Sequence, residues 1–160
     1  MAGEQQARSF LDLVSKELGV AGAPGLQALR RRHRGRVRCQ EARRLTGSVD
    51  LDQGLRDRWP EAPRWDYGIG YLLPETGRPA AIWLEVHPAF PGEVAAVLKK
   101  LRWLRERLEQ CPGLRRLTDR AERPYRWVAS DRPRIPPHLP EARRLRQAGM
   151  DLPRTQVELP

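Results

Sequence analysis

Asp66, Glu85 and His87 are the residues of this chain whose types and spacing could do chemistry. They stand in RWDYGIG and WLEVHP, in the order D-x18-E-x-H. Two carboxylates brought together repel each other unless a cation lies between them. A hard divalent ion such as Mg²⁺ accepts one or two carboxylates, several waters and a substrate phosphate. An imidazole beside them titrates near neutral pH and can orient a water or take its proton. The chemistry implied is metal-assisted hydrolysis of a phosphate ester.

The elements around these residues must bring them to one spot. RWDYGIGYLL, residues 64–73, alternates strictly and predicts a strand. Trp65, Tyr67, Ile69, Tyr71 and Leu73 then share one face, with Asp66, Gly68, Gly70 and Leu72 on the other. The two glycines read as an open floor beside Asp66, where a ligand or another backbone comes close. PETGRP, residues 74–79, is a turn, and AAIWLEVHP returns as the second strand of an antiparallel hairpin. Ile82, Leu84 and Val86 point one way; Ala81, Trp83, Glu85 and His87 point the other. Glu85 and His87 are thus same-face neighbours, about 6.5 to 7 Å apart along the strand.

A helix follows directly in FPGEVAAVLKKLRWLRERLEQ, closed by Cys111-Pro112-Gly113. Val94, Val97, Leu98, Leu101, Leu104 and Leu108 form its apolar stripe. Lys100 flanks that stripe, while Lys99 and Trp103 fall nearly opposite it. PYRWVAS, residues 124–130, predicts a third strand. Residues 4–18 predict an N-terminal helix, residues 25–33 a second short helix, and residues 48–51 a short strand. Residues 141–149 predict a short C-terminal helix, and the tail an edge strand. The order of elements predicts an α/β (α+β) fold, a single domain over 1–160 with one mixed central sheet flanked by helices.

The balance of charge bears on partners. The formal net charge is +10, and only three of the 30 basic residues are lysine. The excess of base over acid favours phosphate backbones or acidic surfaces. The most basic window, RRRHRGRVRCQEARR (residues 30–44), holds eight arginines and one acid. Arg30, Arg31, Arg32, Arg34, Arg36 and Arg38 read either as a solvated face or as a phosphate-contacting arm. Cys39 and Cys111 form no CxxC, so neither a disulfide framework nor zinc-finger spacing is present. The opening MAGEQQARSF lacks the basic start and apolar core of a secretory signal, and no apolar run approaches membrane-spanning length. A cytoplasmic protein without a membrane segment is the expectation.

The D…E-x-H pattern on two hairpin strands, followed at once by the PGEVAAVLKKLRWL helix, resembles the PD-(D/E)xK nuclease superfamily, the fold of many restriction endonucleases. The resemblance covers residues 35–130. It implies a restriction-endonuclease-like core in which Asp66 and Glu85 hold Mg²⁺ or Mn²⁺, and an activity as a metal-dependent endonuclease acting on nucleic acid. The family's lysine is His87 here. A histidine general base, a lysine relocated to the following helix, with Lys100 as the candidate and Lys99 as its rival, or a domain that has lost the reaction all follow from that departure. Glu41 is the match for the family's helix glutamate, with Asp50 and Asp52 as rival third carboxylates.

Blander readings stand beside these. Glu85 could be answered by an arginine across the sheet, and His87, before Pro88, could cap the strand end. Trp65, Trp83 and Trp127 read as packing more than as base-stacking platforms. His33 and His138 lie in basic or proline-rich loops without ligand spacing. The alternative to a hydrolase is a noncatalytic nucleic-acid-binding or protein-interaction module on the same fold, with a homodimer or an acidic protein as possible partner.

Overall fold

The computed structural model describes residues 10–160. Helix α1, residues 10–18, ends in a π-helical turn over Val14–Leu18, and Gly19 closes it with φ +68°. The start of the expected helix at residues 4–9 lies outside the described residues. Then come α2 (Arg31–Arg34), β1 (Val37–Cys39), β2 (Leu45–Asp50) and α3 (Leu51–Gly54). The hairpin strands are β3 (Tyr67–Leu72) and β4 (Pro79–His87). Helices α4 (Val94–Glu109) and α5 (Pro112–Arg120) lead to β5 (Tyr125–Ala129). Helix α6 (Pro140–Gln147) and β6 (Val157–Leu159) complete the chain.

The central sheet is mixed, in the order β2-β3-β4-β5. β2, β3 and β4 are antiparallel neighbours, whereas β5 lies parallel to β4. A parallel neighbour requires a crossover, and α4 with α5 supplies it. Two apolar layers cover the sheet. Tyr67, Ile69, Ile82, Leu84 and Val128 face Leu29, Val37 and Val157. Trp83, Ala81, Trp127 and Val49 face α1, α4, α5 and α6 through Phe10, Leu101, Leu104, Leu114 and Leu145. The alternation in the hairpin therefore assigns the two layers as the period of two requires.

Several local expectations are corrected. Trp65 packs in the helix-side layer, not with Tyr67, because the strand begins only at Tyr67. The glycine floor is filled by aromatic rings rather than left open. A Cβ on Gly68 would lie 2.5 Å from Trp83 Cζ3, and one on Gly70 would lie 2.3 Å from Phe10 Cγ. Both glycines let these rings approach the sheet backbone closely. Trp103 is buried, because the loop after α3 folds over α4 and sets Trp59 edge-on to it at 6.4 Å. Arg64 ties that loop down, donating to the Trp59 and Pro60 carbonyls and to Asp52.

Pro112-Gly113 marks a start as well as a stop. Pro112 opens α5, and the Glu17 carboxylate accepts the backbone amides of Gly113 and Leu114 at 2.9 and 2.8 Å. Proline at the first helical position gives up no needed donor. Thr118 then fixes α5 to the sheet, accepting the Trp83 indole N–H at 2.9 Å. Residues 25–29 form turns, and the helix is Arg31–Arg34, overlapping only the end of the 25–33 segment expected to be helical. The tail strand does not join the central sheet. β6 pairs in parallel with β1, Val37 opposite Val157, as a separate two-stranded sheet.

Candidate functional site

Asp66 ends the loop entering β3, and Glu85 lies near the end of β4. Tyr67 is opposite Leu84, so the next pair outward is Asp66 and Glu85. The two acids are laced together. The Asp66 amide donates to Glu85 Oε1 at 3.1 Å, and the Val86 amide donates to Asp66 Oδ2 at 3.0 Å. Both carboxylates thus continue the strand ladder where backbone pairing stops.

Glu85 is fully buried. Its second oxygen, Oε2, accepts the Lys100 ammonium at 2.5 Å. Lys100 lies on the second turn of α4, and the crossover carries it back over the end of β4. The arginine partner considered for Glu85 is not the one found; lysine takes that place. Burial opposes the charge on Lys100, but the adjacent Glu85 carboxylate outweighs it, and the ammonium is held above its usual pKa. Lys99, by contrast, is exposed and lines a different hollow, with Arg102 and Glu106.

His87 is held at both ring nitrogens. Nε2 meets Glu93 Oε2 at 2.6 Å, and Nδ1 is 3.5 Å from Glu85 Oε2. Its carbonyl accepts the Trp127 indole N–H at 3.0 Å. Hydrogen bonding to Glu85 raises its pKa against the opposing effect of burial, with Glu93 adding to the rise. Both ring nitrogens thus face carboxylates, and His87 does not line the cleft beside Asp66.

Asp66 behaves differently. Its pKa is pushed up to about 7, first by burial and then by the Glu85 charge, with Lys100 opposing. It also lines a cleft of about 460 Å³. Asp50 and Asp52 line the same cleft, together with Arg30, Arg32, Arg36 and His33. Asp50 caps α3 by accepting the Gln53 amide at 2.9 Å, and burial raises its pKa. Asp52 is engaged by Arg56 at 3.3 Å and Arg64 at 3.1 Å. Glu41 pairs with Arg43 and Arg44 and does not line the cleft.

The basic window divides. Arg30, Arg32 and Arg36 reach the cleft; Arg31, Arg34 and Arg38 do not line it. Arg36 also serves as a staple, donating to the carbonyls of Ala129, Ser130 and Thr155. Arg34 braces the preceding turn through the Leu29 and Gln27 carbonyls. Within the window, β1 was hidden by its charge: Val37 is the single buried residue of the strand.

Sequence reasoning passed over His33. Its Nδ1 shares a 2.7 Å hydrogen bond with the Tyr67 hydroxyl. Among the described residues its Nε2 has no hydrogen-bond partner. Burial first, and then Arg32, Arg30 and Arg36, lower its pKa, so the neutral ring is favoured. The one clue available was that His33 lies inside the arginine run, whose charges oppose protonation.

Among the described residues no group of three His, Cys, Asp or Glu side chains is arranged to hold a metal ion. The oxygens of Asp66 and Glu85 suit a hard divalent cation in donor chemistry, although both Glu85 oxygens already have protein partners. Asp66 Oδ1 has no protein hydrogen bond among the described residues, and burial first, then the Glu85 charge, raises the Asp66 pKa. No helix among the described residues is long and apolar enough to cross a membrane.

No protein-family model matches the chain, and no curated protein and no solved structure matches it. The case for a function therefore rests on the geometry of these side chains.

Proposed function

We propose that the chain is a metal-dependent nucleic-acid phosphodiesterase related to the PD-(D/E)xK nucleases and acting in the cytoplasm. One observation carries the reading: Lys100 reaches Glu85 from the helix that follows the hairpin, while Asp66 is bonded across the strands to the same carboxylate's neighbourhood. An aspartate, a glutamate and a lysine thereby meet in space although the position two after the glutamate is histidine. In this reading Asp66 and Glu85 hold Mg²⁺ or Mn²⁺. The bound ion supplies Lewis acidity to the scissile phosphate and lowers the pKa of a water.

The chain's own groups do the rest. Arg30 and Arg32 hold the phosphodiester backbone at the cleft, without reading sequence. Arg36 contributes charge there while fixing the segment to β5. Lys100 holds the Glu85 carboxylate in place. His33, neutral and open at Nε2, is the imidazole suited to take a proton from a water in the tautomer that donates Nδ1–H to Tyr67. His87 clamps Glu85 to Glu93 and so orients the acid rather than acting as base.

Plasmid nicking with Mg²⁺ or Mn²⁺ tests the proposal. Wild-type protein is expected to nick only when the divalent ion is present, and Asp66→Asn to lose nicking while still binding DNA. Equal nicking by that variant overturns the assignment.

A second reading has its own observation. Glu85 is fully buried, and both of its oxygens already have protein partners. That is how a structural ion pair is built, and it favours a noncatalytic nucleic-acid-binding module. Steeply salt-dependent binding with no metal-dependent turnover distinguishes this reading from the first.

A further inference from the structure

Arg78, Arg116 and Arg120 line a hollow of about 330 Å³, with Leu13, Pro79 and Leu117 as its apolar wall. Arg78 directly precedes β4, whereas Asp66 directly precedes β3. The hollow is therefore at the opposite end of the hairpin from the cleft, about 20 Å away along the strands. No acidic side chain lines it. Four other hollows on the molecule each include at least one acid among their basic residues. Among the described residues, none of the three guanidinium groups is within ion-pair distance of a carboxylate.

The three charges border one hollow, and one of them is fixed in place. Arg120 Nη1 donates to the Pro79 carbonyl at 3.0 Å, which fixes its plane against the hairpin. Burial, and then the charges of Arg78 and Arg116, lower the Arg120 pKa, the sign of repulsion that nothing nearby relieves. A guanidinium matches a phosphate through paired donors, and several around one hollow make an oxyanion receptor. The lining offers no aromatic ring and no side-chain amide with which to recognise a base.

We propose that this hollow is a second phosphate-binding site, separate from the cleft, that takes the sugar-phosphate backbone of a nucleic-acid strand without regard to sequence. It does not depend on the cleft being catalytic. Fluorescence anisotropy of a short labelled DNA duplex, followed from about 50 to about 200 mM salt, tests it. The triple variant Arg78→Gln/Arg116→Gln/Arg120→Gln is expected to lower the slope of log affinity against log salt by about 2 to 3, near one per lost phosphate contact. The corresponding triple lysine variant should keep most of that slope. A control triple, Arg132→Gln/Arg143→Gln/Arg144→Gln, removes the same charge from exposed positions elsewhere and should change it little. Equal effects of the two glutamine triples would overturn the proposal, as would absence of duplex binding by the wild type. Saturation of the hollow by inorganic phosphate alone at submillimolar concentration, with no loss of duplex affinity, would instead make it a small-anion site and overturn the polymer assignment. Circular dichroism of each variant, matching the wild type, keeps loss of fold from mimicking the result.

Discussion

Asp66 and Glu85 exchange hydrogen bonds across the mouth of the hairpin: the amide of Asp66 donates to Glu85 Oε1, and the amide following Glu85 donates to Asp66 Oδ2. The Glu85 side chain is positioned by the Asp66 amide, and the Asp66 side chain by the Val86 amide. The pair is rigid with respect to the strands that carry it, yet only Asp66 faces the cleft.

The raised pKa of Asp66 has a thermodynamic signature. A carboxyl whose folded pKa lies above its unfolded value releases its proton more readily when unfolded. Between about pH 4 and pH 7 the unfolded state then binds fewer protons, and stability falls as pH rises. The accumulated loss is on the order of 4 kcal/mol above pH 7, an upper figure for one such group. Asp66→Asn keeps an acceptor for the Val86 amide and removes the charge. It should raise the urea midpoint at pH 8 and flatten the pH dependence; an unchanged midpoint at pH 8 would contradict the buried-charge account.

Lys100 and Glu85 should behave as a coupled pair. Lys100→Met strands a carboxylate with no exposed surface and is expected to cost about 3 to 5 kcal/mol. Adding Glu85→Gln removes the stranded charge and should restore much of that loss. Chemical denaturation of the two single variants and the double variant measures the coupling, expected at about 1 to 3 kcal/mol. Additive effects would mean the ammonium does not answer Glu85.

The cleft arginines should separate by function. Arg30 and Arg32 make no side-chain hydrogen bond among the described residues, so Arg30→Gln/Arg32→Gln should weaken DNA binding while shifting stability by less than about 0.5 kcal/mol. Arg36 donates to three carbonyls, and Arg36→Gln should cost about 1 to 3 kcal/mol. Paired measurements of melting and DNA affinity check this division; equal stability losses would refute it.

Gly68 is a packing requirement. Gly68→Ala places a methyl 2.5 Å from one Trp83 ring carbon and 2.8 Å from another. Trp83 is fully buried and pinned to Thr118, so it has little room to retreat. The expected loss is about 1 to 3 kcal/mol in urea unfolding, with a blue or red shift in tryptophan emission. A neutral substitution would mean the ring layer is looser than its contacts imply.

The parts of the fold that rest on period and punctuation could be read in advance. Alternation located β3 and β4, and the same alternation set Asp66 and Glu85 on one side. The stripe of α4 put Lys100 on its flank, near enough to reach the sheet. What escaped depends on contacts distant in the chain. Pro112-Gly113 resembles a helix end until Glu17, 96 residues away from Gly113, accepts its amide. β1 hides in a run of arginines because a strand paired on one side needs only Val37 inward and tolerates charge elsewhere. Gly68 and Gly70 advertise close approach, but nothing local says whether a ligand or Phe10 and Trp83 will come. His33 gained meaning only when β3 brought the Tyr67 hydroxyl to it.

The pairing of β1 with β6 gives the chain an order of assembly. Val37 lies opposite Val157, and the Val157 amide donates to the Arg36 carbonyl at 2.8 Å. The arginines that wall the cleft are thus anchored by residues made some 120 positions later. During synthesis the acidic half of the cleft is complete long before its basic half can be seated. A nascent chain halted short of Val157 would carry Asp66, Glu85 and Lys100 without the strand that seats Arg36.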